Sequence, residues 1–356
     1  MSSYGVDWEK VKARHFAFWR GELEGSCLTT VTAPKDNAMP NHFPYPKNAE
    51  DRIKWWTDPE LIIQRYRSGM ECTYYAGDSF PLLLNDLGPA GHAGFFRGAK
   101  PRFESSIWYE PSLEDYNDLA FDPESFLYCR NIELSQAFAD DAKGDYLIAM
   151  PDNVGAGDVL SHLRGPNQMM IDFIDQPDAV HKALKTVQHV WEHTAAAVHD
   201  ILKTNNHGGG CVGWLYTWAP GRHVQLQCDL SVMMSPEMFE EFLVYELHAQ
   251  SQFADYSLYH FDGEQQIRFL PYLLDVRGIQ AIQWTNVAGQ KAVTEYIPVL
   301  QQIQRAGKSL ICSCTPEEVP VMLENLDANK LHLTLWAKSQ QDADDIVRLV
   351  EKESRK

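Results

Sequence analysis

YSLYHF (256–261) and IQAIQWT (279–285) are two short apolar runs joined by a stretch that reads as a helix and a glycine turn, and together they set the fold class. Each has the length and composition of a strand buried on both faces. The same alternation extends in both directions. DYLIAMP (145–151), CVGWLYTW (211–218), SLICSC (309–314) and LHLTLW (331–336) are further short apolar runs, with longer amphipathic segments between them. Ser235-Pro236-Glu237 starts one of those helices with a capping serine and a proline at the first helical position, and Thr315-Pro316-Glu317 repeats the device. Residues 342–350 read as a closing amphipathic helix. Strand alternating with helix implies a parallel sheet. With CLTTVTA (27–33) and a strand ending near Asp78 upstream, the count predicts a closed (β/α)8 TIM barrel; an open doubly wound sheet is the alternative. Residues 90–140, rich in aromatics, Pro and Asp, read as a long irregular insertion, a lid over the mouth of one domain spanning 1–356. The N-terminal region is expected to be irregular.

The composition narrows the function classes. The chain has 356 residues, 44% of them hydrophobic, and a net charge of −18. Such a surface repels phosphate backbones and anionic lipid, which argues against nucleic acid and membranes as partners. The start, MSSYGVDWEKVKARHFAFW (1–19), lacks the apolar core of a signal peptide, and no stretch approaches the length of a membrane span. Seven scattered cysteines fit a reducing cytoplasm better than a disulfide framework. No Walker loop, GxGxxG or GxSxG occurs.

Chemistry in a barrel sits where the strands end. Asp78, Asp152 with Asn153, Trp218, Asp262 and Trp284 are therefore expected to converge on one mouth. Trp214, Tyr216 and Trp218 stand at alternate positions, which on a strand would make one wall for a flat or methylated ligand. His260 and Asp262, two apart before Gly263, face one way. The pair can hold a divalent metal, act as an acid/base pair, or be a hydrogen-bonded structural pair. Cys312 and Cys314 would put two thiols on one side of a strand, where zinc is one reading and inert burial the commoner one. His162, in LSHLRG (160–165), lies where the strand ending at Asp152 passes into a helix, and a structural role is as open to it as a catalytic one.

These residues carry a resemblance. GAGDVLSHLRG (155–165), CDLSVMMSPEMFEEFL (228–243) and YHFDGEQQIRFLPYLLDVRGIQAIQW (259–284) resemble, in order and spacing, segments of the uroporphyrinogen decarboxylase superfamily, which includes corrinoid-dependent methyltransferases and cobalamin-independent methionine synthase. The likeness covers roughly 140–350. It implies that Asp78 matches the strand-end aspartate of the decarboxylases, that His162 stands where they have a tyrosine, and that His260 matches a zinc-ligating histidine of the methyltransferases. The departures are equally specific. Asp262 replaces the methyltransferases' cysteine, and LTLWAKS (333–339) lacks their second one. Arg14 and Arg20 do not reproduce the decarboxylases' arginine-rich start.

The resemblance thus implies a methyltransferase-type enzyme acting on a small organic substrate, with a corrinoid on a separate protein; its zinc–thiolate site is not reproduced, and the residues themselves offer zinc a different site at His260 and Asp262, with Cys312 and Cys314 as further candidate ligands. A homodimer is a further expectation. The alternatives are a metal-independent lyase or decarboxylase using Asp262, Asp78 and His162 for proton transfer, and a catalytically silent binding barrel.

Overall fold

The computed structural model describes residues 1–39, 43–152 and 154–355. Seven strands hydrogen-bond into one sheet in the order Thr73–Gly77, Leu28–Pro34, Leu331–Trp336, Ser309–Ser313, Ile279–Trp284, Tyr256–Phe261, His223–Leu226. Every neighbouring pair is parallel except the first. Leu82–Leu84 and Leu147–Ala149 form a separate parallel pair, and Met150 N donates to Cys211 O to bring in the strand Gly209–Val212. The result is a mixed α/β fold around a mostly parallel sheet, with thirteen α-helices among the described residues.

Strand alternation sorts the side chains. Leu258, Ala281 and Ile311 gather with Leu28 and Val212 in one apolar cluster. Tyr259, Ile282, Leu310 and Leu333 belong to the main core, which the outer helices share. The first cluster also holds Phe18 and Trp19 from the N-terminal helix Trp8–Arg20. That helix closes the end where the strands begin: Phe18 O accepts from Ser309 Oγ, and Trp19 packs on Tyr256. Asp7 caps it by accepting from the backbone of Glu9 and Lys10, and Gly21 ends it in a left-handed conformation. The start of the chain, expected to be irregular, is therefore the floor of the sheet.

Several expectations need correction. The eight-stranded ring is not traced by continuous hydrogen bonding. Beside Leu28–Pro34 the chain places the antiparallel strand Thr73–Gly77, and the Ser79 hydroxyl bonds both N and O of Val31. The strand ending near Asp78 thus runs the wrong way, and the parallel strand is Leu82–Leu84, a few residues later. The run 211–218 is not one strand. It turns through Gly213–Leu215, with Tyr216 at φ 52°, and returns as Thr217–Pro220 antiparallel to Gly209–Val212. Within 90–140, residues Phe126–Ala142 are a regular helix capped by Ser125. Its buried Leu127, Leu134, Phe138 and Ala142 have helical spacing that the surrounding aromatics and prolines obscured. Before it lie a 3₁₀ turn at Gly91–Phe95 and the hairpin Lys100–Phe103 with Ile107–Glu110.

Candidate active site

His260 stands opposite Gln283 in the register of two parallel strands, on the inner side. Its Nδ1 is 2.5 Å from Gln283 Oε1. Gln283 spends its amide nitrogen on Trp284 O at 2.8 Å, so its oxygen faces the ring and Nδ1 is the donor. Nε2 is then the working atom, and it lies 3.2 Å from Asp262 Oδ1. Gly263 releases the chain at φ 62°, where an added Cβ would sit 2.4 Å from Gln290 Oε1.

The second carboxylate comes from the loop after His223–Leu226. Asp229, at the start of the 3₁₀ turn Asp229–Met233, joins the pair: one ligand atom from each of Asp229, His260 and Asp262 lies within 4.8 Å of the others. Two buried side chains fix this geometry. Asp158 accepts from the backbone N–H of Asp229 at 3.0 Å and of Leu230 at 2.9 Å. Gln266 accepts from Asp262 N at 3.0 Å and donates to Cys228 O and Ser231 Oγ, both at 3.1 Å, so one glutamine ties the two carboxylate-bearing loops together.

The electrostatics follow from crowding. Solvent reaches Asp229 at the mouth, yet the surrounding protein, and then the charge of Asp262, push its carboxyl up to about 6. Burial works against a charged His260, but the hydrogen bond and charge of Asp262 more than offset it, and the ring's pKa is raised. The His260 hydrogen bond in turn holds Asp262 below the usual carboxylate range. A polar chain continues from here. Gln227 donates to Asp229 at 3.4 Å, and Gln225 donates to Gln227 at 2.9 Å and to Asp152. Trp214 donates to Gln225 at 2.5 Å while its ring meets the His260 ring edge-on at 4.8 Å. Burial holds the Asp152 carboxyl well above its ordinary value, with Asp86 among the charges that act on it. Asp86 and Tyr216 line a cavity of about 620 Å³, with Trp55, Tyr66, Tyr75 and Arg65 among its other walls.

The expected residues divide. Asp262, His260, Asp152 and Trp214 share the mouth, and Tyr216 faces the neighbouring cavity. Asp78 does not join them. Its strand is antiparallel, so it lies at the floor, where Arg14 pairs with it at 3.2 Å and Thr29 N donates to it at 2.9 Å. His162 packs on Trp108 and Tyr109 of the hairpin, with ring centroids 6.5 and 6.1 Å away. Trp218 is buried against Trp8 and Phe80 and donates to Asn206 O at 3.0 Å, because the chain reversal turned it from the wall into the core. Trp284 occupies the outer row, its ring tilted against those of Phe261 and Tyr296. Cys312 shares that row in register and sits with Cys314 in the main core. Burial pushes the Cys312 thiol up to about 12, and Cys314 also upward, so neither is a ready thiolate. Asn153 lies outside the described residues. Asp229, Gln283, Gln225 and Gln266 were missed as individual residues. Asp229, Gln266 and Gln283 fall inside stretches that carry the resemblance; Gln225 lies outside them and has no sequence signal of its own.

No family model and no curated protein matches the sequence. Among solved structures, a methyltransferase from Methanosarcina mazei is similar over 97% of this chain and 98% of its own, at 13% identity and a TM-score of 0.61. A B12-independent methionine synthase from Shewanella sp. W3-18-1, solved with selenomethionine, overlaps 92% of this chain and 97% of its own, at 13% identity and a TM-score of 0.49. The first likeness extends the resemblance from 140–350 to nearly the whole chain at the level of fold.

Proposed function

We propose that this chain is an enzyme that works on a small organic substrate at the mouth cluster Asp229–His260–Asp262, in a methyltransferase-type reaction. The observation that carries this reading is the meeting of three potential ligand groups at the ends of the parallel strands; the cavity of about 620 Å³ that Asp86 and Tyr216 line has a volume ordinary for a small-molecule site. The donor set fits a divalent cation. Two carboxylates and an imidazole whose other nitrogen is held by Gln283 are the kind of three-residue set that a catalytic zinc uses, with one position open. The superfamily's zinc–thiolate set does not fit, since Asp262 stands in place of its first cysteine and residues 333–339 hold none, and Cys312 and Cys314 are buried in the main core. When bound, such a cation makes a thiol or amine acceptor more nucleophilic.

The chain's own residues supply the rest. Gln283 orients His260, Gln266 and Asp158 hold the two carboxylates in place, and Trp214 shields the imidazole on one side. In this reading the methyl donor is a corrinoid on a separate protein, because no stretch of this chain resembles a corrinoid-binding module. A screen of methylated amines, thioethers and methoxylated aromatics tests the proposal. Turnover that Asp262→Asn lowers by about 10²–10⁴-fold supports it. Wild-type turnover in that variant removes the cluster from the mechanism.

One observation favours a second reading. Asp229 and Asp262 stand close together, and burial with the charge of Asp262 pushes the Asp229 carboxyl up to about 6, which favours a proton on the pair at mildly acidic pH when no cation is present. A metal-independent lyase would use that proton on a carbanion-like intermediate. Asp262→Cys separates the two: it keeps or strengthens zinc binding in the first reading and is as inactive as Asp262→Asn in the second.

A further inference from the structure

The floor carries a feature that the mouth chemistry does not use. Arg277, Lys308 and Lys330 each stand one or two residues before a strand, at Ile279, Ser309 and Leu331. These three strands are parallel neighbours, so their starts lie side by side and the basic residues form a row. Arg20, in the last turn of the N-terminal helix, joins it. A cavity of about 340 Å³ opens among the four cations, with Trp19 and Leu274 on its walls.

Two observations point to an anion. Lys308 is only 5% exposed and donates to Val276 O and Ile279 O, both at 2.8 Å. An ammonium has three N–H groups, so one donor remains unspent in a buried position. The side chains of Arg277 and Lys330 form no hydrogen bond or ion pair among the described residues, while Arg20 is paired with the exposed Glu22 at 2.8 Å. The remaining negative influence on Lys308 is Asp275. Burial lowers the Lys308 ammonium to about 8, a cost that a bound anion would offset.

We propose that this floor pocket binds the phosphate group of a small organic molecule. A polyanion would be repelled by the −18 surface, whereas a small anion meets only the local row. Arg277 supplies a planar fork suited to phosphate, and the lysines supply point charges. Trp19 and Leu274 on the wall give the organic part neighbours that carry no charge.

Calorimetric titration of the full chain with phenyl phosphate and with inorganic phosphate tests the proposal, alongside the double variant Arg277→Ala/Lys330→Ala and the control Arg348→Ala on the closing helix. Both substituted cations are solvent-reachable, so the double variant is expected to fold. The expected result is tighter binding of the ester than of inorganic phosphate, weakened about tenfold or more in the double variant and unchanged in the control. Equal affinity for both probes, lost in the same variant, supports free phosphate as the source of the same chemistry. No heat from either probe at about 10 mM, or binding unaltered by the double variant, overturns it.

Discussion

Asp262 stands where the resemblance leads one to expect a thiolate, and the surrounding residues are matched to the change. A carboxylate accepts from His260 and stands beside Asp229, and both relations would be weakened with a thiol. Glu246 gives a second residue-scale test. It is buried beside Gly155, where an added Cβ would lie 1.9 Å from its Oε1, and burial pushes its carboxyl up to about 7. Between about 4.5 and 7 the unfolded chain ionises this group first, so stability contributed by the neutral form falls as pH rises across that window. At about 1.4 kcal/mol per pH unit the loss is about 3 kcal/mol. Glu246→Gln keeps an acceptor for Gly157 N, and urea unfolding should find it more stable than the parent at pH 8 and near parity at pH 4. Equal stability at pH 8 would contradict the assignment. Gly155→Ala should destabilise at every pH, because the close approach to Glu246 and Gln227 O leaves no room.

At the scale of the element, four runs that alternate with helices were legible because buried parallel strands are short, apolar and bounded by turns. Tyr256–Phe261 and Leu331–Trp336 have the expected bounds. What failed was direction. Periodicity says that residues face one way on a strand but not that the strand continues: Tyr216 in the left-handed region ends one run, and nothing in CVGWLYTW announces it. Likewise TYYAG (73–77) has strand composition whichever way it pairs, and its antiparallel pairing sends Asp78 to the floor. His260 and Asp262 were legible together because two residues at a strand end share a side. Asp229 was not singled out because only the fold brings the two loops together. The N-terminal helix has its own test. Phe18 is fully buried in the floor cluster, so Phe18→Ala should cost about 3–5 kcal/mol, and Asp7→Ala, which removes the cap, about 1 kcal/mol. Chemical denaturation giving equal losses for the two would contradict the plugging role of this helix.

Across the whole molecule, the parallel sheet sends its strand ends to one mouth and its strand starts to one floor, and the two ends differ in chemistry. The floor also stores acid sensitivity. His15 and His223 are fully buried, and burial lowers both to about 4. Each contributes stability that is fully present above about 6.5 and is lost as pH falls toward 4, because the unfolded chain takes up those protons first. These losses oppose the gain from Glu246 in the same window, so the test is a difference: between pH 6.5 and 4 the unfolding free energy of the parent should fall relative to that of His223→Gln, and a constant difference would mean that this histidine is not buried neutral. The mouth is where the central claim rests, and zinc titration into chelator-stripped protein tests it most directly. The account predicts about one zinc per chain, with affinity reduced at least about tenfold in both Asp229→Asn and His260→Ala and unchanged in Cys312→Ser/Cys314→Ser. Absence of zinc binding by the parent chain, or full binding by His260→Ala with loss in the cysteine variant, would contradict it.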